Sequence, residues 1–227
     1  MRKNHDIKEI ASVILTKGTL KQNIYNNTFT ALKLFKEVAQ NVIQELQEEM
    51  SDSIALHYKD KSDFEFEIKF TGDVLIFLMH TNVFEFSRYH EVMRTKYIKD
   101  DKERSYCGII NIYNFLADSF KYNRTNDLGY LIGRIFINKE NHYFIEGKRE
   151  VASLFNRFSD AVVKKEALSD IILSSILYSI NFDLLSPPYD KMKEITVQEM
   201  LSAIDNMKIT TGKRLGFKFQ ADQSKVK

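Results

Sequence analysis

Glu67 and Lys69 stand two residues apart in the run Asp63–Phe86, DFEFEIKFTGDVLIFLMHTNVFEF. Glu-x-Lys is a spacing used by a broad class of metal-dependent nucleases. On a strand, residues two apart share a face. The carboxylate could then hold Mg²⁺ while the ammonium steadies the attacking water or the phosphate. Asp63 or Asp73 would supply a second carboxylate. The plainer reading is the charged outer face of an edge strand, which also discourages aggregation. Three residues are a weak pattern, so the plainer reading is preferred.

Other reactive side chains are present without a matching arrangement. His80, Glu85, His90, Glu91 and Cys107 are metal ligands by type, but His90-Glu91-Val92-Met93-Arg94 lacks the second histidine of a zinc-protease helix. His80 is read as a hydrogen-bonded histidine at a strand end, and Cys107 as a buried, inert thiol. Neither a nucleophile elbow nor a Walker-type loop occurs. Gly129-Tyr130-Leu131-Ile132-Gly133 lacks the third glycine and following helix of a dinucleotide fingerprint. No cofactor or metal is expected. Near the C-terminus, Lys213, Arg214 and Lys218 interleave with Phe217 and Phe219. Such a stretch can grip phosphates and stack on bases, or it can be a solvated basic tail.

These residues have to be positioned by the elements around them. Phe64, Phe66, Ile68 and Phe70 alternate with Glu65, Glu67 and Lys69, the signature of a half-buried antiparallel strand. Val74–Met79 is apolar on both faces, as in an interior strand covered on both sides. The two form a hairpin through Thr71-Gly72-Asp73, with Gly72 free to take positive φ, and the second strand is expected to run on through Val83–Phe86. Residues 54–58 suit a lead-in strand, Tyr106–Phe115 another, and 131–137 with 142–146 a second hairpin turning at 138–141. Residues 87–104 have no assignment, and Lys99–Arg104 within them reads as a solvated loop.

Helical periodicity governs both flanks. Ile7, Ile10, Ala11, Ile14 and Leu15 predict a short first helix ending near Gly18. A second, capped by Asn27 or Thr28, carries the stripe Phe29, Leu32, Phe35, Ala39, Val42, Ile43, Leu46 and Met50. After Gly147, Val151, Leu154, Phe155, Phe158 and Val162 share a helical face. A further helix from Leu168 to Leu184 stops at Ser186-Pro187-Pro188. Thr196-Val197-Gln198-Glu199 is a capping box for a last helix, with Ile195 and Met200 as its staple.

Helices, then five to six strands, then helices is the order of an α+β fold: one mainly antiparallel sheet over 54–146, packed by N- and C-terminal helices. One domain is expected over 1–207 (helices 6–50, sheet 54–146, helices 149–207), followed by a basic tail at 208–227. The 227 residues carry 33 Lys and Arg against 31 Asp and Glu, a net charge of +2 that is too balanced to argue for nucleic acid or membrane. No run reaches the ~20 apolar residues of a membrane span, and one cysteine cannot form an internal disulfide. The chain is therefore expected to be soluble and cytoplasmic. Function is read as a non-enzymatic binding, sensory or adaptor protein. Its aromatic-rich sheet (Phe77, Phe84, Phe86, Tyr113, Phe115, Phe136, Tyr143, Phe144) would face a small-molecule ligand or another protein, and the Phe29–Met50 helix offers a homodimer surface. The alternative is a nucleic-acid-acting protein, a divergent nuclease using Asp63, Glu67 and Lys69.

Overall fold

A computed structural model describes residues 6–50, 54–148, 151, 157–182, 188–198 and 200–201. The first element of the described residues is helix α1, Ile7–Glu49. Seven strands follow: β1 Leu56–Ser62, β2 Glu65–Phe70, β3 Asp73–Met79, β4 Phe84–Glu85, β5 Tyr106–Leu116, β6 Tyr130–Ile137 and β7 Tyr143–Gly147. Short helices α2, Lys96–Asp100, and α3, Ala117–Lys121, lie on either side of β5. Helix α4, Lys165–Ile180, and the short α5, Tyr189–Met192, close the described order. All strand pairs are antiparallel, in the order β1-β2-β3-β5-β6-β7, with β4 beside β5. The α+β expectation holds.

The alternation in β2 does what its period requires. Phe66, Ile68 and Phe70 are buried, while Glu65, Glu67 and Lys69 are half-buried on the opposite face. Phe66 lies directly opposite Phe77 of β3, their rings stacked at 4.5 Å and 6°. Phe35 of α1 packs on both. Leu75, Phe77 and Met79 of β3 and Ile110 and Ile112 of β5 extend this inner face. Leu32, Ala39, Val42 and Ile43 of α1 and Leu168, Ile171 and Ile172 of α4 cover it. Burying one such side chain contributes roughly 1.5–3 kcal/mol. The Phe29–Met50 stripe expected to offer a dimer surface is thus covered by the chain's own sheet.

Helix α1 is one element, not two. Gly18 meets nothing and costs only about 1 kcal/mol against alanine in a helix interior. The expected caps lie inside the helix and make other contacts. Thr28 Oγ1 donates to the Ile24 carbonyl (2.7 Å), and Asn27 Nδ2 donates to the carbonyls of Asn138 (3.2 Å) and Lys139 (3.0 Å). Thr28 also sits where Gly108 of β5 leaves room: a Cβ there would lie 2.1 Å from Thr28 Oγ1 and 2.8 Å from its Cβ.

Other boundaries differ for identifiable reasons. β2 is interior and β1 is the edge, so the charges of β2 do not guard an edge; β1, with Lys59, Asp60 and Lys61 exposed, does. In the β2–β3 turn the positive φ falls on Thr71 (46°) and not on Gly72. β3 is fully covered on one face only, and Leu78 on the other is exposed. β4 is no continuation of β3. The chain breaks at residues 80–83, and Phe84 pairs with Cys107, on the stretch of β5 that β3 has left. Phe158 and Val162 do not share a helix: residues 158–160 form a turn and Val162 bridges His142. Val151 is buried in the core, while Leu154 and Phe155 lie outside the described residues. α4 ends at Ile180, ahead of the prolines, where the Asn181 amide donates to Leu177 and Phe182 packs on Tyr130 (5.6 Å). At the last predicted helix, Met200 N–H donates to the Thr196 carbonyl (3.0 Å), while Glu199 lies outside the described residues.

Gly108→Ala should destabilise the protein by about 1–3 kcal/mol through overpacking. Thr28→Ala in the same chain should recover part of that loss. Urea unfolding of both single variants and the double variant measures the coupling; additive effects would contradict the close approach of α1 to β5.

Candidate functional site

The segment without an expected assignment, 87–104, continues through Ser105 and builds a concave site. A 3-10 turn at Glu91–Arg94, then α2, then a 3-10 turn at Lys102–Ser105 each begin at a residue whose side chain accepts a backbone amide. His90 Nδ1 accepts from Val92, Thr95 from Ile98, and Asp101 from Glu103. The charged run read as a solvated loop is therefore structured. Val92 and Ile98 point down into a second apolar cluster with Phe86, Cys107, Ile109, Phe136 and Phe158. This cap covers the outer face of the sheet over β5–β7.

Tyr97 is the centre of the cap. Its ring stacks on His142 (5.4 Å, 14°) and meets Phe158 edge-on (5.3 Å, 70°). The Arg104 guanidinium lies 4.4 Å from the Tyr97 ring centre. The Tyr97 hydroxyl donates to Glu140 Oε2 and accepts from Asn138 Nδ2, both at 2.8 Å. Arg104 Nε donates to Glu140 Oε1 (2.9 Å) and its Nη1 to the Tyr97 carbonyl (3.0 Å). Beside them Lys139 bridges Asp101 (2.7 Å) and Glu103 (2.6 Å). The β6–β7 turn at 138–141 thereby joins the cap, the sheet and Asn27 of α1.

The protonation states follow from these contacts. Burial pushes the Tyr97 hydroxyl well above its ordinary value, and its bond from Asn138 only partly opposes this. Burial would raise Glu140, but hydrogen bonds from Tyr97 and Arg104 prevail and hold its carboxyl below the usual range. The hydrogen bond from Lys139 lowers Asp101 in the same way. Both carboxylates are fixed anions tied to fixed cations, an arrangement suited to holding shape.

Between this hub and the loop at 157–159 lies a half-open cleft of about 660 Å³. Val92, Thr95, Tyr97, Phe144 and Phe158 form its walls, and Glu91, Lys96, Asp100, Arg157 and Ser159 its rim. Aromatic walls with a mixed-charge rim are the chemistry of a recognition cleft. Thr95 Oγ1 is already committed to the Val92 carbonyl (2.7 Å), and His142 Nδ1 lies 3.1 Å from the Phe158 carbonyl.

Of the residues singled out from sequence, Glu91 and Phe144 line this cleft, and the nuclease and tail candidates do not. Glu67 and Lys69 share the outer face of β2, as their spacing demands. Glu67 pairs with Lys61 of β1 (Oε2 to Nζ, 3.3 Å), and Asp63 is exposed in the β1–β2 turn. Among the described residues no three His, Cys, Asp or Glu side chains gather as a metal site would require. His80 is a strand-end histidine whose Nδ1 accepts from Asn82 (3.0 Å). Cys107 is buried, and burial raises its thiol pKa. Lys213, Arg214, Phe217, Lys218 and Phe219 lie outside the described residues. Sequence reasoning missed Tyr97, Arg104 and Glu140. The capping spacings Thr95-x-x-Ile98 and Asp101-x-Glu103 were the available signal.

No protein-family model matches the chain, and neither a curated protein nor a solved structure matches it. No helix of the described residues is long and apolar enough to cross a membrane.

A carboxyl depressed on folding gives stability above its unfolded pKa, which is lost as pH falls through the folded value. Stability should therefore drop on acidification below pH 4.5, the ordinary value for Glu140. Glu140→Gln should flatten that acid limb, read by urea unfolding across acidic to neutral pH. Cys107 should resist thiol reagents in the native protein and react fully once denatured, which a colorimetric thiol assay checks.

Proposed function

We propose that the protein is a non-enzymatic binding module that holds a small aromatic molecule with a polar edge in the cleft beneath the 87–105 cap. The observation that carries this reading is the cleft itself: its 660 Å³ lies within the range of small-molecule sites, and three aromatic rings wall it. The ligand's flat part would lie against Tyr97, Phe144 and Phe158. Its polar edge would reach the rim, where Lys96 and Arg157 offer donors and Glu91 and Asp100 acceptors. The hub around Tyr97 holds the walls in place before a ligand arrives, which lowers the ordering cost of binding.

A binding role also suits the chemistry of the reactive groups. Glu140 and Asp101 are held as anions, Tyr97 as a neutral phenol and Cys107 as a neutral thiol. Glu67 pairs with Lys61; the nuclease alternative would need a second carboxylate beside it.

Ser159→Trp tests the reading, because Ser159 is an exposed rim residue whose enlargement fills the cleft without touching the core. A set of planar aromatic acids, amines and amides should include compounds that shift the NMR signals of Tyr97 and Phe144. Those compounds should bind at least about tenfold more weakly to the tryptophan variant, a loss of about 1.4 kcal/mol. Binding that is unchanged by Ser159→Trp, or no binding to the unaltered protein, would refute the assignment.

A further inference from the structure

His90 holds the start of the cap through a bond that only its uncharged form can make. Its Nδ1 accepts the Val92 amide at 3.3 Å. A backbone N–H can only donate, so Nδ1 carries a lone pair there and the proton of the neutral ring sits on Nε2. A second proton would set one N–H against another, and the bond would be lost. Histidine is the side chain whose charge ordinarily changes between pH 5 and 8.

His142, the other histidine of the cap, is placed the opposite way. Its Nδ1 faces the Phe158 carbonyl at 3.1 Å, and a carbonyl can only accept. That nitrogen donates in both charge states, so protonation leaves the contact intact. His80 resembles His90 in accepting from Asn82, but it stands on the exposed turn after β3 and does not line the cleft.

Val92 is where release would be felt. Its amide is tied to His90, and its carbonyl takes the Thr95 amide (3.1 Å) and Thr95 Oγ1 (2.7 Å). Its side chain, 4% exposed, packs with Phe86, Phe136 and Phe158 and walls the cleft. Thr95 in turn caps α2. The His90 ring lies on Phe86 (4.7 Å) and edge-on to Phe144 (5.9 Å, 90°).

A partner for the charged ring is in place. Glu146 Oε1 of β7 lies 4.0 Å from His90 Nε2, outside hydrogen-bond distance. Arg134 of β6 donates to the other oxygen of that carboxylate (3.0 Å) and tempers its pull. The remaining charges are Arg88, Glu91 and Arg94 on the segment of His90 itself. Charging the ring therefore breaks one contact and strengthens another.

We propose that His90 is a protonation-operated latch on the cap. Neutral, it pins Val92 and closes the first turn. Charged, it releases the Val92 amide, pairs with Glu146 and loosens the cleft wall at 91–95. The latch is a property of the cap and stands without a ligand. That a ligand is held more weakly at low pH rests in addition on the binding reading above.

NMR of the full chain without ligand, from pH 8 to pH 5, tests the latch. The neutral His90 ring should carry its proton on Nε2. Exchange of the Val92 amide, corrected for its intrinsic dependence on pH, should quicken about fivefold with the same midpoint as the ring. His90→Asn supplies an acceptor that caps well and does not titrate. It should keep Val92 exchange slow at both ends of the range, and His90→Ala should keep it fast throughout. A Val92 amide indifferent to the charge on His90, a neutral ring protonated on Nδ1, a ring still uncharged at pH 5, or a response that persists in His90→Asn would each overturn the proposal. Uncharged aromatic amides that bind should lose about fivefold in affinity over the same range, and lose nothing in His90→Asn. If none binds, the cleft reading fails while the exchange data still decide the latch.

Discussion

The stacked rings of Phe66 and Phe77, with Phe35 of α1 laid across them, fix the geometry from which the rest follows. A strand period of two leaves no freedom here. If β2 slipped by one residue, Phe66, Ile68 and Phe70 would turn to the outer face and Glu65, Glu67 and Lys69 would enter the core. Unpaired buried charges cost far more than any gain the slip could bring. The register of β2 against β3, and through it of β3 against β5, is thereby set, and α1 and α4 settle on the face that results.

The outer face is divided. Over β5, β6 and β7 it is covered by the short turns of the cap, whose apolar residues Val92 and Ile98 reach Phe136 and Phe158. Over β2 and β3 it carries Glu67, Lys69 and the exposed Leu78. The cap contains few apolar residues and depends on polar ties: Tyr97 to Asn138 and Glu140, Arg104 to Glu140, Lys139 to Asp101 and Glu103. Such ties hold direction well, which is why the concave site forms where the cap meets β7 and not within the tightly packed inner core.

Elements with strong periodicity were legible in the sequence. The alternation of Phe64–Phe70, the β-rich run at 106–115 and the hairpin turning at 138–141 gave the sheet, and two helical blocks gave its cover. The candidate site was not legible, because it is built from tertiary pairings. Tyr97 gains its role from Asn138 and Glu140, which are 41 and 43 residues away. A charged run such as 99–104 reads as solvated until its partners are known. Gly18 misled in the other direction, since one glycine weakens a helix without ending it. Thr28 and Asn27 are good caps by type, but Gly108 and the β6–β7 turn recruit them as lateral anchors.

The strand order has a bearing on synthesis. With β1, β2 and β3 paired in succession, and β5, β6 and β7 likewise, nearly every pairing closes a short loop of chain. α1 precedes all of them, so the first hairpin to leave the ribosome already has beside it the helix whose Phe35 lies across its stacked rings. A nascent chain arrested anywhere after β3 can shelter much of its greasy surface, and only the patch reserved for α4 must wait until that helix has been made.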